Sequence, residues 1–295
     1  MDNVTIDLFG VDMQSIAIIT DTDSSIPFGL AAQYNIYQVP VTIHFGEESY
    51  EAVYAVNDAD IFRRIDKEGK LPSTAAPSPG KFVAAYKNAF DAGANKILCL
   101  CVSSEVSATY SAAVTARESF PEREINVIDS RSLSMGLGYM ALAAAEAAVQ
   151  GLSMNELVSI IDDIRQRTHL FAALSTLKYL AMGGRVSNLA ASMATMLNVK
   201  PILTIRDGRL DLLERVRTQK KAWQRVIELS AINTGDKQIE KMCVLHVNAP
   251  EMAQEFMTEI KSRMHCPSEI MSVEVTPGLS VHSGAGMVGT VFIVK

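Results

Sequence analysis

Three short apolar runs in the first half of this chain each end in a loop of hydroxyl and carboxylate residues and then pass directly into a helix-forming segment. Ser15–Thr20 (SIAIIT) leads into Asp21-Thr22-Asp23-Ser24-Ser25, Lys96–Val102 (KILCLCV) into Ser103 through Thr109, and Ile125–Ile128 into Asp129-Ser130-Arg131-Ser132. Runs of this length, dense in aliphatic residues, read as strands covered on both faces. Strands that alternate with helices predict a parallel, doubly wound α/β sheet, whose right-handed crossovers bring the three loops to one edge. Ligands gather at the carboxyl ends of such strands, which makes the loops a candidate site edge. Helix capping accounts for the same residue types.

The helices expected around these strands cover Phe28–Tyr34, Asp58–Ile65 after an Asn57 or Asp58 cap, Lys81–Ala92, Gly136–Gln150 and Met154–Gln166. Tyr37–Phe45 alternates as a strand, with Ser49–Val53 returning antiparallel, and Lys70–Gly80 (KLPSTAAPSPG) reads as a rigid proline-rich loop carrying Thr74 and Ser78. Beyond Thr168 the order loosens to α+β. This gives an N-terminal extension (residues 1–14), an N-terminal α/β domain (15–168) and a C-terminal α+β domain (169–295).

Ser175–Lys221 is the most distinctive stretch of the second domain. Helical spacing through Leu177 and Leu180 stops at Gly183–Gly184, followed by Arg185, and Ser187 or Asn188 can cap a nearly uncharged helix through Met196. Lys200–Ile205 and Leu210–Arg217 flank Asp207–Gly208, an Asp-Gly pair between apolar runs that predicts a hairpin. Solvated arginines are the simplest reading. A guanidinium beside a glycine break and another, Arg217, at a strand end are also well placed for a carboxylate or phosphate, whose geometry the planar fork matches. Near the C-terminus a Gly-x-Gly turn separates His282 from a last apolar strand, and a lone histidine there is structural or functional according to its surroundings.

A composition of 48% hydrophobic and 20% charged residues supports a packed core, and a net charge of −6 argues against nucleic-acid binding. Cys99 and Cys101 alternate along a strand and so share a face. Together with Cys243 and Cys266 they show no paired metal-ligand spacing and are expected as buried free thiols, with metal or disulfide use as the alternative. No basic leader, no signal-like apolar run and no stretch of 18 apolar residues is present, so a cytoplasmic protein with no membrane span is expected.

Taken together, these segments resemble the DegV family, bacterial fatty-acid-binding proteins that serve as acyl carriers for the fatty acid kinase system. The family's opening strand and D-S-T loop are matched by Ile18 through Ser24, its T-S-Q-P-S by Thr74 through Ser78, its S-S-G-L-S-G-T-Y by Ser103 through Tyr110, and its V-I-D-S-(K/R) by Val127 through Arg131. G-G-R-I-S, K-P-I/V, D-G and R-T-x-K-K are similar to Gly183–Ser187, Lys200–Ile202, Asp207–Gly208 and Arg217–Lys221, and the terminal H-(S/T)-G-x-G to His282–Gly286. Each motif is short. Their order, held over nearly the whole chain from Ile16, is what makes the resemblance specific.

The resemblance implies a non-enzymatic carrier with one long-chain fatty acid in an apolar tunnel at the domain interface, no other cofactor, and a separate ATP-dependent kinase subunit as partner. Thr74, Ser107 and His282 then fall at carboxylate-binding positions, and Arg185 and Arg217 at positions for phosphotransfer or kinase docking. Asp21, Ser104, Met182, Met193 and Met196 are second-line pocket candidates, the methionines because a flexible thioether suits chains of varied shape. The chain departs from the family at Glu105 and Ala108, where glycines stand, and at Ala75-Ala76 in place of Ser-Gln. Glu105 would repel an acid if it pointed inward. A hydrolase or acyltransferase using Ser104 or Ser107 with His282, and a small-molecule lipid sensor, are the alternatives. Neither a G-x-S-x-G elbow nor a P-loop is present.

Overall fold

The computed structural model describes residues 15–52, 55–183 and 199–295, leaving aside the side chains of 181–183. The chain begins with β1 (Ile16–Asp21), a 3-10 turn (Thr22–Ser24), α1 (Phe28–Gln33) and β2 (Ile36–Val39). β3 (Thr42–Phe45) and β4 (Glu48–Glu51) form a hairpin before α2 (Asp58–Glu68), whose first turn is capped by Asn57 Oδ1 accepting from the Asp60 amide at 2.9 Å. Then come β5 (Ser73–Ala75), α3 (Pro79–Asp91), β6 (Lys96–Cys101), α4 (Thr109–Arg117), β7 (Glu124–Asp129), α5 (Met135–Val149) and α6 (Met154–Arg167). The second half continues through β8 (Thr168–Ala173), α7 (Lys178–Gly183), β9 (Lys200–Arg206), β10 (Arg209–Val216), α8 (Gln219–Thr234), β11 (Ile239–His246), α9 (Pro250–Arg263), β12 (Met271–Glu274), α10 (Pro277–Ser283) and β13 (Val288–Val294).

Among the described residues the strands form three sheets. β2-β1-β6-β7 is wholly parallel, with Ile18 opposite Ile36 and Leu98, as the alternation of apolar runs and helices predicts. β10-β9-β8-β13-β11-β12 is mixed, and the C-terminal strand lies in its interior between β8 and β11. The small antiparallel sheet β4-β3-β5 corrects one expectation. Lys70–Gly80 is not loop throughout, because Ser73–Ala75, between two prolines, lies extended and pairs Thr74 with Ile43. Prolines flanking a short edge strand are compatible with pairing, since only an interior donor would be missed.

The packing is layered. Phe82, Tyr86 and Ala113 of α3 and α4 cover Ile19, Ile97, Cys99 and Cys101 on one face of the parallel sheet. α5 covers the other face, and the alanine-rich sequence that lets it pack closely there also lets it meet β8 and β13 of the mixed sheet. α8 and α9 close the far face of that sheet through Trp223, Val226, Phe256 and Ile260. Cys99 and Cys101 do share a face, with Sγ atoms 3.9 Å apart, and the four cysteines are free thiols. At the tip of the β9–β10 hairpin Asp207 and Gly208 have φ of 49° and 80°, the left-handed pair that a tight two-residue turn requires.

Candidate ligand-binding site

The carboxyl ends of β1, β6 and β7 converge, as their loops suggest, on a cavity of about 310 Å³ between the two large sheets. This falls at the lower end of the roughly 300–1,000 Å³ typical of small-molecule pockets. Most of its wall is aliphatic: Leu133 before α5, Leu170 and Leu174 along and after β8, Leu203 on β9, Leu245 on β11 and Met287 before β13. The polar residues of the wall are Asp23, Thr74, Ser107, Ser134, His282 and Ser283.

Each polar residue is placed by a local rule of the backbone. Thr74 is held by β5 pairing with β3, and its hydroxyl lies 2.9 Å from His282 Nε2. His282 sits on α10, a short helix that a Thr-Pro pair begins, with Thr276 at the cap and Pro277 in the first turn. In sequence this segment reads as the approach to a glycine turn, although its Thr-Pro pair is a helix start signal. The turn itself follows at Gly284 and Gly286, with φ of 82° and 79°. Gly278 lets α10 approach the β1 loop closely, since a Cβ there would lie 2.1 Å from Asp23 Oδ1. Ser107 lies in the loop after β6, where its Oγ pairs with Thr109 Oγ1 at 2.8 Å.

A buried chain of hydroxyls ties the loops together. Thr276 Oγ1 donates to the Thr22 carbonyl at 2.7 Å, Ser134 Oγ donates to Ser25 Oγ at 3.1 Å, and the Ser134 amide donates to the Asp23 carbonyl at 2.7 Å. Ser25 and Ser134 adopt φ of 52° and 49°, a strained backbone for residues with a side chain and one that accumulates at functional sites. Ser134 and Asp23 are cavity residues that sequence motifs did not single out.

Two expected second-line residues lie elsewhere. Asp21 is fully buried but does not line the cavity: its carboxylate accepts from the amides of Asp23 at 2.9 Å and Val102 at 2.7 Å, stapling the ends of β1 and β6. Burial pushes its carboxyl up to about 7 despite those donors. Ser104 is exposed and turned to Asp129, its Oγ donating to Oδ2 at 2.6 Å. The loop reverses between Ser104 and Ser107, so only the latter reaches the wall. Arg217 is exposed just past the end of β10 and is not part of the lining. Arg185, Met193 and Met196 lie outside the described residues, as does the Met182 side chain. Met287 is a methionine of the described wall that the sequence reading did not name.

Glu105 does not point inward. It is held between Arg131 and Arg209, and Arg209 in particular lowers its pKa. Ala75, Ala76 and Ala108, the other departures, line the cavity beside Thr74 and Ser107. Ser104 pairs with Asp129, Ser107 with Thr109 and His282 with Thr74. Among the described residues no cluster of three metal-ligating side chains occurs, and no helix is long and apolar enough to cross a membrane.

Comparison with known proteins decides the family. Residues 15–295 match the DegV family model. The chain belongs to the DegV family. A DegV domain-containing protein of Caldanaerobacter subterraneus subsp. tengcongensis is 34% identical over 284 residues, covering 95% of this chain and 99% of that one. A DegV family protein from Thermus thermophilus, whose structure is described as showing fatty acid binding, superposes with a TM-score of 0.88 at 26% identity, over 95% of this chain and all (100%) of that one. DegV from Bacillus subtilis, described as a fatty acid binding protein, gives 0.84 at 27% identity, over 96% and 100% of the two chains. The parallel sheet and the mixed sheet thus form the DegV architecture.

Proposed function

We infer that this chain binds one long-chain fatty acid in the cavity and presents its carboxylate to a separate ATP-dependent kinase, which converts it to an acyl phosphate. The observation that carries the reading is a cavity whose wall is mostly aliphatic and also holds Ser107 and the contacting pair Thr74 and His282. Fatty acid binding by the Thermus thermophilus and Bacillus subtilis relatives supports it.

The chemistry follows from the side chains. Hydroxyls of Thr74 and Ser107 donate to the carboxylate, and a His282 protonated at Nε2 donates to Thr74 Oγ1, leaving the Thr74 proton for the ligand. The acyl chain contributes about 0.8 kcal/mol per buried methylene, so a 16-carbon tail gains on the order of 10 kcal/mol before immobilisation losses. Such a ligand stays bound until it is handed on. In the partner's step a carboxylate oxygen attacks the γ-phosphorus of ATP and ADP leaves, while this chain supplies a held nucleophile and no catalytic base. Arg217, exposed and outside the cavity lining, is suited to docking the kinase or meeting the new phosphate.

The test is to incubate the fatty-acid-loaded protein with ATP and a bacterial fatty acid kinase subunit and to trap product with hydroxylamine. Acyl hydroxamate that requires both proteins supports the reading. Ester hydrolysis by this chain alone, lost in Ser107→Ala, would replace it with the hydrolase reading.

A further inference from the structure

The loop that carries Ser107 is tied to the opposite sheet by charge. Glu105, two residues before Ser107, accepts from Arg209 Nε through Oε2 at 2.7 Å and from Arg131 Nη1 through Oε1 at 3.3 Å. Arg131 Nη2 also donates to the Asp207 carbonyl at 2.6 Å, and Ser103 Oγ donates to the Gly208 carbonyl at 2.7 Å. Ser103, Glu105 and Arg131 follow strands of the parallel sheet, whereas Asp207–Arg209 form the tip of the β9–β10 hairpin in the mixed sheet. The two surfaces meet closely: a Cβ on Gly208 would lie 2.6 Å from Ser103 Oγ and 3.0 Å from Arg131 Nε.

Both partners also line the cavity. The loop contributes Val106, Ser107 and Ala108 to its wall, and the hairpin contributes Leu203 and Leu210. The charged cluster therefore spans two walls of the same cavity from outside it.

We propose that Glu105, Arg131 and Arg209 form an ionic latch that positions Ser107 and sets the rate at which an acid ligand leaves the cavity. The latch rests on the reading of the cavity as a fatty-acid site. Glu105 is a positioning residue: it faces the two arginines and acts on the ligand through the Ser107 loop. Opening the latch separates the loop from the hairpin and parts the walls at Val106 and Leu210. The Arg209 side chain is 70% exposed, so dissolved salt competes with this contact and speeds release.

The test uses the full chain loaded with cis-parinaric acid, a fluorescent fatty acid, and follows its release into excess oleate by stopped flow at low and high salt. Wild type releases faster as salt rises. Glu105→Gln and Arg209→Gln release roughly three- to ten-fold faster at low salt and lose most of the salt dependence. The double variant is no faster than either single one, and Arg209→Lys keeps part of the effect. Amide hydrogen exchange of the unliganded chain gives a readout independent of ligand: Glu105→Gln accelerates exchange in residues 103–109 and 206–209 and leaves α8 and α9 unchanged. Release rates and loop exchange that match wild type in Glu105→Gln overturn the latch. A wild-type chain that fails to take up the probe, yet shows the loop-exchange response, retains the latch and rejects the fatty-acid reading.

Discussion

The Thr74 hydroxyl lies 2.9 Å from Nε2 of His282, a residue 208 positions further along the chain. One partner belongs to a three-residue edge strand and the other to a two-turn helix of the second half, so the contact draws two walls of the cavity together. In the proposed binding mode this is where the carboxylate arrives.

In the proposed binding mode, removing the Thr74 or Ser107 hydroxyl leaves a ligand oxygen without a donor. Thr74→Ala and Ser107→Ala should each weaken binding of palmitate by about 1–3 kcal/mol, while leaving binding of its methyl ester nearly unchanged. Calorimetric titration of both ligands checks this. Equal losses for acid and ester would mean that the hydroxyls shape the cavity and do not recognise the carboxylate.

In the proposed function Arg217 serves transfer and not recognition. Because it is exposed and absent from the cavity wall, Arg217→Ala should retain fatty acid as wild type does and slow acyl-phosphate formation by the kinase. Parallel measurement of retention and hydroxamate yield tests the division of roles, which an emptied cavity in the variant would contradict.

Gly278 sets the closeness of α10 to the β1 loop. Since an added Cβ would lie 2.1 Å from Asp23 Oδ1, Gly278→Ala should shift the helix and destabilise the fold by about 1–3 kcal/mol. It should also loosen ligand retention, because Leu279 and His282 move with the helix. Thermal unfolding that matches wild type would show that the helix and loop yield freely.

Asp58 gives stability a pH dependence. Its carboxyl is buried behind α10, where it accepts from Ser280 Oγ at 2.5 Å, and burial pushes it from about 3.8 up to about 7, with Glu274 adding to the rise. Between those values the folded chain holds a proton that the unfolded chain has released, so stability falls as pH rises. Asp58's favourable share is fully present below about pH 4 and is lost as pH passes through about 7. Asp58→Asn should therefore reduce the drop in Tm between pH 5 and pH 8. An unchanged drop would assign it to other groups.

Much of this arrangement could be read from sequence for a physical reason. Strands buried on both faces, such as Lys96–Cys101, advertise themselves as continuous apolar runs, and Asp207–Gly208 marks its hairpin because few residue pairs tolerate two positive φ values. Order along the chain then identified the family. What escaped depends on contacts between distant segments. Ser73–Ala75 becomes a strand only because β3 offers an edge, and the loops that bring Ser134 and Asp23 to the cavity are pinned by hydroxyl bonds, from Ser134 to Ser25 and from Thr276 of the second half to Thr22. Asp21 and Ser104, beside true wall residues in sequence, turn away because backbone amides and Asp129 claim them first. A motif locates a loop, whereas hydrogen bonding decides which of its side chains faces the ligand.

The central claim is that the apolar cavity holds an acyl chain, and native mass spectrometry of the chain purified from a bacterial host tests it most directly. Wild type should carry one long-chain fatty acid per molecule, and Leu279→Trp, which fills the cavity from α10, should fold and carry none. A wild-type chain at its bare polypeptide mass that stays so after exposure to palmitate and oleate, or a Leu279→Trp chain that still carries the acid, would contradict the account.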